Sequence, residues 1–301
     1  MDGLTDDDRT GFFGPRSLAW KVNRDVCCLL AGRRAILLQL AHPLVAAGVS
    51  AHSSFHQSPM KRLHTTIELT QTIVFGTRRE ALAAAATIRG AHHGVHGRLP
   101  RAMGTYQAGS KYNASDPMCS AWVLATLVDS ALEAHRWFAH PLSTEEQDAY
   151  LMDMKRFGEI VGVPHDALPD DVSSFRRWFR DRLESEVVVT PLARRYAAPI
   201  LDPFSSLLER ELPFGNILAG PLGPPSRRLN VLTAGLLPAP VREGFRLPWT
   251  RLDRAEILAA RRALLRLRST LPDRFTVMPL ARRAESRLAR TPGAPKHAEG
   301  P

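Results

Sequence analysis

Apolar residues recur along this chain mainly at spacings of three and four, the period of an α-helix. Ser17 to about Leu30 reads as a first helix, and Arg33 to Val49 as a second. In the second, Ala35, Leu38, His42, Val45 and Val49 form one stripe. Pro43 lies inside that stripe, and its missing amide predicts a kink. Ser58-Pro59 is an N-cap followed by proline at the first helical position, and that helix runs to Phe75 and stops at Gly76. Thr77 caps the next helix, which is alanine-rich and carries Ala81, Ala85, Ile88, His92 and Val95 on one narrow face. It ends in Arg89–Gly97, where His92, His93 and His96 crowd together.

Residues 98–113 read as a loop. Helices follow from Asp116-Pro117, from Ser143 with Glu146 as a capping box, and from Asp170-Asp171. Prolines interrupt 187–225, and further helices are expected over 227–236 and 251–268. No stretch reads as a convincing strand and no internal repeat is visible. The expected fold is therefore all-α. Residues 1–15 would be a flexible lead-in, 16–290 a single helical domain, and 291–301 a disordered tail rich in proline and glycine.

Composition sharpens this picture. An apolar fraction of 44% over 301 residues is that of a globular chain with a sizeable core. The net charge of +10 is mostly arginine spread along helices, and it is densest near Arg261, Arg262, Arg266, Arg268, Arg282 and Arg283. No basic run interleaved with aromatics is present, so no nucleic-acid partner is expected. Peripheral attraction to an anionic membrane surface stays open. The acidic N-terminus has neither a basic n-region nor an apolar h-region, and no run matches a transmembrane span. Three cysteines without framework spacing point to a cytoplasmic location.

The candidate chemistry centres on the histidines. His92, on the inward stripe, is either a hydrogen-bonded core imidazole or a metal ligand. His93 faces outward with Arg89. His92-x-x-x-His96 has the spacing of two ligands on one helix face, but a zinc hydrolase wants glutamate after the first histidine, and His93 stands there. No Glu-x-x-His pairs support a di-iron site, and no Gly-x-Ser-x-Gly elbow supports a serine nucleophile. Cys27 and Cys28 read as inert core thiols. His42 and His52 read as structural, His42 by bonding a carbonyl freed beside Pro43. A haem pocket needs one imidazole on an apolar helix face, and His92 with Ile88 and Ala85 satisfies that demand. Only one of His92 and His96 could serve, because i and i+4 side chains lie about 6 Å apart.

The order of motifs resembles the family of MpaB-type oxygenases and rubber oxygenases over about residues 16–290. The resemblance is carried by Arg33-Arg34-Ala35-Ile36-Leu37-Leu38-Gln39-Leu40-Ala41-His42-Pro43, Gly48-Val49 and His52-Ser53. It continues through Arg62-Leu63 with Thr66, Phe75-Gly76 and His92-x-x-Val95-x-Gly97. Tyr112-x-Ala114-x-Asp116-Pro117, Trp122-Val123, Asp148-x-Tyr150, Gly162-Val163-Pro164 and Leu232-Thr233-x-Gly235-Leu236-Leu237-Pro238 complete it. The family implies an all-helical, distantly globin-like fold that encloses haem b. It implies His92 as the axial iron ligand, with His96 one turn away as runner-up. It also implies Arg62 as the polar pocket arginine and Thr66 as its neighbouring donor. A lysine that some rubber oxygenases use distally falls near Thr65, and this chain has none there. The implied partners are O2 and a small apolar substrate, isoprenoid or lipid-like, whose C=C bond is oxidised or cleaved. A non-catalytic haem- or lipid-binding protein of the same fold is the competing reading.

Overall fold

The computed structural model describes residues 9–52, 59–202, 227–268 and 270–289, and for His52 and residues 59–63 the backbone alone. Among the described residues the architecture is all-α apart from one two-stranded hairpin. The predicted tail over 291–301 and most of the predicted lead-in lie outside the described residues.

Helix α1 (Leu18–Asn23) starts at Ser17, whose hydroxyl accepts the Trp20 amide. The expected continuous helix to Leu30 is in fact broken. Asp25 Oδ1 accepts the Cys27 amide at 2.9 Å and turns the chain into α2 (Cys28–Ala41). Gly32, in the gap expected between the first two helices, therefore lies inside α2. At His42 the backbone is extended (φ −83°, ψ 119°), as the residue before a proline prefers. Pro43 then opens α3 (Pro43–His52), bent 96° from α2, so the expected kink is a complete break. The Val188 amide takes the freed Ala41 carbonyl at 3.0 Å.

Helices α4 (Pro59–Phe75) and α5 (Arg78–His93) form an antiparallel hairpin across Gly76. A side chain at Gly76 would sit 2.5 Å from the Thr72 carbonyl oxygen, so only glycine permits so tight a reversal. Thr77 and Glu80 form a reciprocal capping box. Ala81, Ala84 and Ala85 are the buried residues of α5, and their small side chains let neighbouring helices approach closely. The helix closes at Gly94, with the Val95 amide bonding the His92 carbonyl.

The chain beyond Gly94 departs from expectation. Strand β1 (His96–Arg98) pairs antiparallel with β2 (Lys111–Asn113), opposing Gly97 to Tyr112. Gly94 and Gly97 both weaken helical continuation. At Gly97 an added Cβ would lie 2.4 Å from the Tyr112 hydroxyl, so the ring packs directly on that backbone.

Helix α6 (Pro117–Phe138), the longest among the described residues, packs along α2. Asp116 caps it, accepting the Met118 and Cys119 amides. Trp122, Leu124, Ala125, Val128 and Ala131 join Leu37, Leu38 and Leu40 in the main core. Helix α7 (Thr144–Val161) starts at the predicted Ser143/Glu146 capping box and ends at left-handed Gly162 (φ 98°). Helices α8 (Val172–Ser185), α9 (Pro191–Leu201) and α10 (227–236) follow. The chain then forms α11 (Ala239–Gly244), α12 (Arg251–Leu267), α13 (Asp273–Thr276) and α14 (Pro279–Ala289). Among the described residues no single helix is long and apolar enough to cross a membrane.

The most demanding polar group in this core is Arg34, 4% exposed. Its guanidinium donates to the Leu236 carbonyl at 2.7 Å and to Ser130 Oγ at 2.8 Å, and pairs with Asp129 at 2.6 Å. One side chain thus ties α2 to α6 and to the C-terminus of α10. It also explains why the Arg33-Arg34 and Leu232–Pro238 segments, far apart in sequence, belong to one structural unit.

Candidate active site

Of the sequence-predicted residues, position 62 and Thr66 lie on α4 and Ile88 and His92 on α5. At about 1.5 Å of rise per residue, positions 62 and 92 both lie roughly 21 Å from the Gly76 turn. Thr66 and Ile88 likewise share a level, about 15 Å from it. Positions 62 and 92 therefore stand at similar heights along the hairpin, as do Thr66 and Ile88. The Arg62 side chain lies outside the described residues.

His92 sits on the last turn of α5 and is half-buried, as is Ile88 one turn earlier. The predicted inward stripe is fully buried only at its alanine end. His93 is exposed, as expected. His96 is not one helical turn from His92: it lies on β1 opposite Asn113, and it is exposed. The helix has ended between them, so the helical i, i+4 ligand pair does not form. Thr66 is exposed, and its carbonyl accepts the Thr70 hydroxyl at 2.8 Å. His52 lies in α3, and its side chain is outside the described residues.

A second constellation, not anticipated from the sequence, surrounds the α2–α3 break. His42 is 2% exposed. Its Nε2 lies 3.3 Å from Glu186 Oε2 and 3.3 Å from the Tyr106 hydroxyl. Tyr106 also donates to Glu186 at 3.4 Å, and Arg182 pairs with Glu186 at 2.9 Å. The partner of His42 is thus a carboxylate, not the freed carbonyl expected for it. The hydrogen bond from His42 holds the Glu186 carboxyl below the usual range. The nearby Arg182 charge adds to this, and partial burial opposes it. Burial, and then the Glu186 charge, push the Tyr106 hydroxyl above its ordinary value, so it remains a donor at neutral pH. Burial also pushes the Cys119 thiol up to about 12, which leaves it unreactive. Trp122 closes the group from below, its ring 6.1 Å from that of His42 and stacked on Phe179 at 5.1 Å. No sequence spacing links positions 42, 106 and 186. The visible signal was His42 on an apolar stripe beside a proline.

Helix α3 stands beside both groupings. His42 precedes its first residue, and a side chain at Gly48 would touch Val95 at 3.1 Å, just beyond the His92 helix. Two open surface pockets lie elsewhere. One, of about 330 Å³, is bordered by His165, Asp170 and Trp178. The other, of about 260 Å³, is bordered by Asp202, Arg227, Asn230 and Asp253.

Residues 20–268 match the family described as "ER-bound oxygenase mpaB/B'/Rubber oxygenase, catalytic domain". The chain belongs to this oxygenase family. Its hairpin, its His42 cluster and the Arg34 tie all fall within the matched span. "Uncharacterized protein Mb2261" of Mycobacterium bovis and "Uncharacterized protein Rv2237" of Mycobacterium tuberculosis are each 29% identical to it over 161 residues, 52% of this chain. The aligned segment spans 60% of the length of either relative. No solved structure matches the chain.

A family of oxygenases that includes the rubber oxygenases raises the question of a bound haem. His92, half-buried with apolar Ile88 on the preceding turn, is the residue that would hold such a group. The C-terminal end of α5 adds a favourable field for positive charge there.

Proposed function

We propose that this chain is a haem-b-dependent oxygenase that oxidises or cleaves a C=C bond of an unsaturated, apolar, isoprenoid- or lipid-like substrate with O2. The supporting observation is that the oxygenase-family match spans both helices of the hairpin that carries position 62 and His92. His92 is the residue that would hold the iron, within a distantly globin-like core. The bound group would supply activation of O2. Arg62 and Thr66 would donate hydrogen bonds to the oxygen end of the site, stabilising charge that develops there. Ile88 would line the apolar wall and keep water from the reacting carbons. Cleavage of one C=C bond by one O2 yields two carbonyl groups and needs no added reductant.

The partial exposure of His92 and Ile88 suits a substrate drawn from an apolar phase. Contact with an anionic membrane surface and a cytoplasmic location belong to the same proposal, and fractionation of cells expressing the chain tests both.

The decisive experiment is the absorption spectrum of the full chain expressed with excess haem, alongside His92→Ala and His96→Ala. A Soret band lost in His92→Ala and kept in His96→Ala is expected, as is a pyridine haemochrome of the b type. Loss only in His96→Ala would move the axial ligand to the strand. Retention in both would refute either histidine as ligand. Oxygen uptake with a panel of unsaturated lipids, absent in a protein that keeps its Soret band, would favour the haem- or lipid-binding reading instead.

A further inference from the structure

We propose that Cys27, Cys28 and His135 form a buried, three-coordinate site for a soft d10 cation, with Cu(I) as its best-matched occupant. The two Sγ atoms and a ring nitrogen of His135 all lie within 4.8 Å of one another, though the residues are more than a hundred positions apart in sequence. The site joins three element ends: the last turn of α1, the first residues of α2 and the last turn of α6.

The orientation of His135 carries the inference. The ring is 7% exposed, and its Nε2 lies 3.0 Å from the Val22 carbonyl oxygen. A carbonyl only accepts, so Nε2 bears the hydrogen. In the neutral ring that burial favours, Nδ1 then presents a bare lone pair. That Nδ1 is buried and makes no hydrogen bond of normal geometry, although the His140 backbone lies near the ring. A buried nitrogen without a hydrogen bond is unfavourable, so one on a ring beside two thiols invites an occupant. The Val22 carbonyl also accepts from Cys28 Sγ at 3.2 Å, so a single backbone oxygen orients two of the three donors. Such outer partners commonly fix the tautomer and direction of metal-ligating histidines.

The donor set selects the metal. Two sulfurs and one imidazole are soft ligands, suited to Cu(I) or zinc. Structural zinc takes four tetrahedral ligands. Among the described residues no fourth His, Cys, Asp or Glu joins the group. Three-coordinate Cu(I) needs none. Binding would release the two thiol protons to solvent, leave the Nε2 proton on the Val22 carbonyl, and keep copper in the Cu(I) state throughout. Cys27 is the N-cap of α2, and the positive end of that helix offsets the extra negative charge of two thiolates. The proposal does not depend on haem binding, since the α4–α5 hairpin contributes no ligand to it.

Anaerobic titration of the reduced full chain with Cu(I) against bicinchoninate tests the site. One equivalent should be withheld from the chelator, with thiolate-to-copper charge-transfer absorption. Cys28→Ser and His135→Gln should each weaken retention by about tenfold or more, while Cys119→Ser, a buried thiol outside the group, should leave it unchanged. Circular dichroism of each variant confirms that it is folded. Retention unaffected by both ligand variants, or lost equally in Cys119→Ser, would overturn the site. Tighter dependence on these residues for Zn(II) than for Cu(I) would overturn the copper assignment. A Cys27–Cys28 disulfide found by mass spectrometry in protein kept with reductant, with no copper uptake, would overturn both.

Discussion

Replacing Arg34 by methionine keeps much of the side-chain length and apolar stem but removes the guanidinium. Three acceptors then lose their donor: the Leu236 carbonyl, Ser130 Oγ and the Asp129 carboxylate. Leu236 lies at the C-terminus of α10, where carbonyls have no intrahelical partner, so nothing within the helix replaces the lost bond. Ser130 is fully buried, and the Asp129 side chain is 22% exposed and retains some hydration. Breaking a buried ion pair on one side costs about 3–5 kcal/mol, chiefly through the charge left behind. At roughly 2–3 °C per kcal/mol for a chain of this size, the melting temperature should fall by roughly 6–15 °C. The double variant Arg34→Met/Asp129→Leu removes the stranded charge and should recover a large part of that loss. Thermal melts followed by circular dichroism read Arg34→Met, Asp129→Leu and the double variant. A fall of less than about 2 °C in Arg34→Met, or a double variant worse than the sum of the singles, would refute this account of the α2–α6–α10 junction.

The depressed Glu186 carboxyl makes part of the stability acid-sensitive. The unfolded chain takes up the proton first, near the ordinary value of about 4.3, so this contribution is present above that pH. It is lost as pH falls through the lower folded value, and Glu186→Gln should flatten that portion of a stability-versus-pH curve below about pH 5. Gly97→Ala should cost about 1–3 kcal/mol, because the new methyl meets the buried Tyr112 ring, and it should lower the melting temperature even though the change is conservative elsewhere. Cys119, with its thiol pushed up to about 12, should resist alkylation by iodoacetamide at pH 8 in the folded chain and react once the chain is unfolded. Labelling at equal rates in both states would contradict its burial.

What the sequence by itself determined is what depends on near neighbours along the chain. Helix existence follows from apolar spacing, and helix starts from caps such as Ser17, Thr77, Asp116 and Ser143 that bond amides within three residues. The order of motifs also carried the oxygenase family, since that order is a property of the chain alone. Two helix boundaries did not follow from apolar spacing, one for a local reason and one for a distant one. Asp25 breaks the first helix by capping Cys27, and Gly94 and Gly97 let the chain leave α5 for a strand that exists only because Lys111–Asn113 comes back to pair with it. Only the tertiary structure could bring His42 to Tyr106 and Glu186, or His135 to Cys27 and Cys28. These contacts join residues 64 to 144 positions apart in the first group and about a hundred in the second. No spacing rule along the chain reaches that far. Helix packing angles and the 96° turn at Pro43 set those distances, and they are fixed by the burial of the whole core rather than by any one segment.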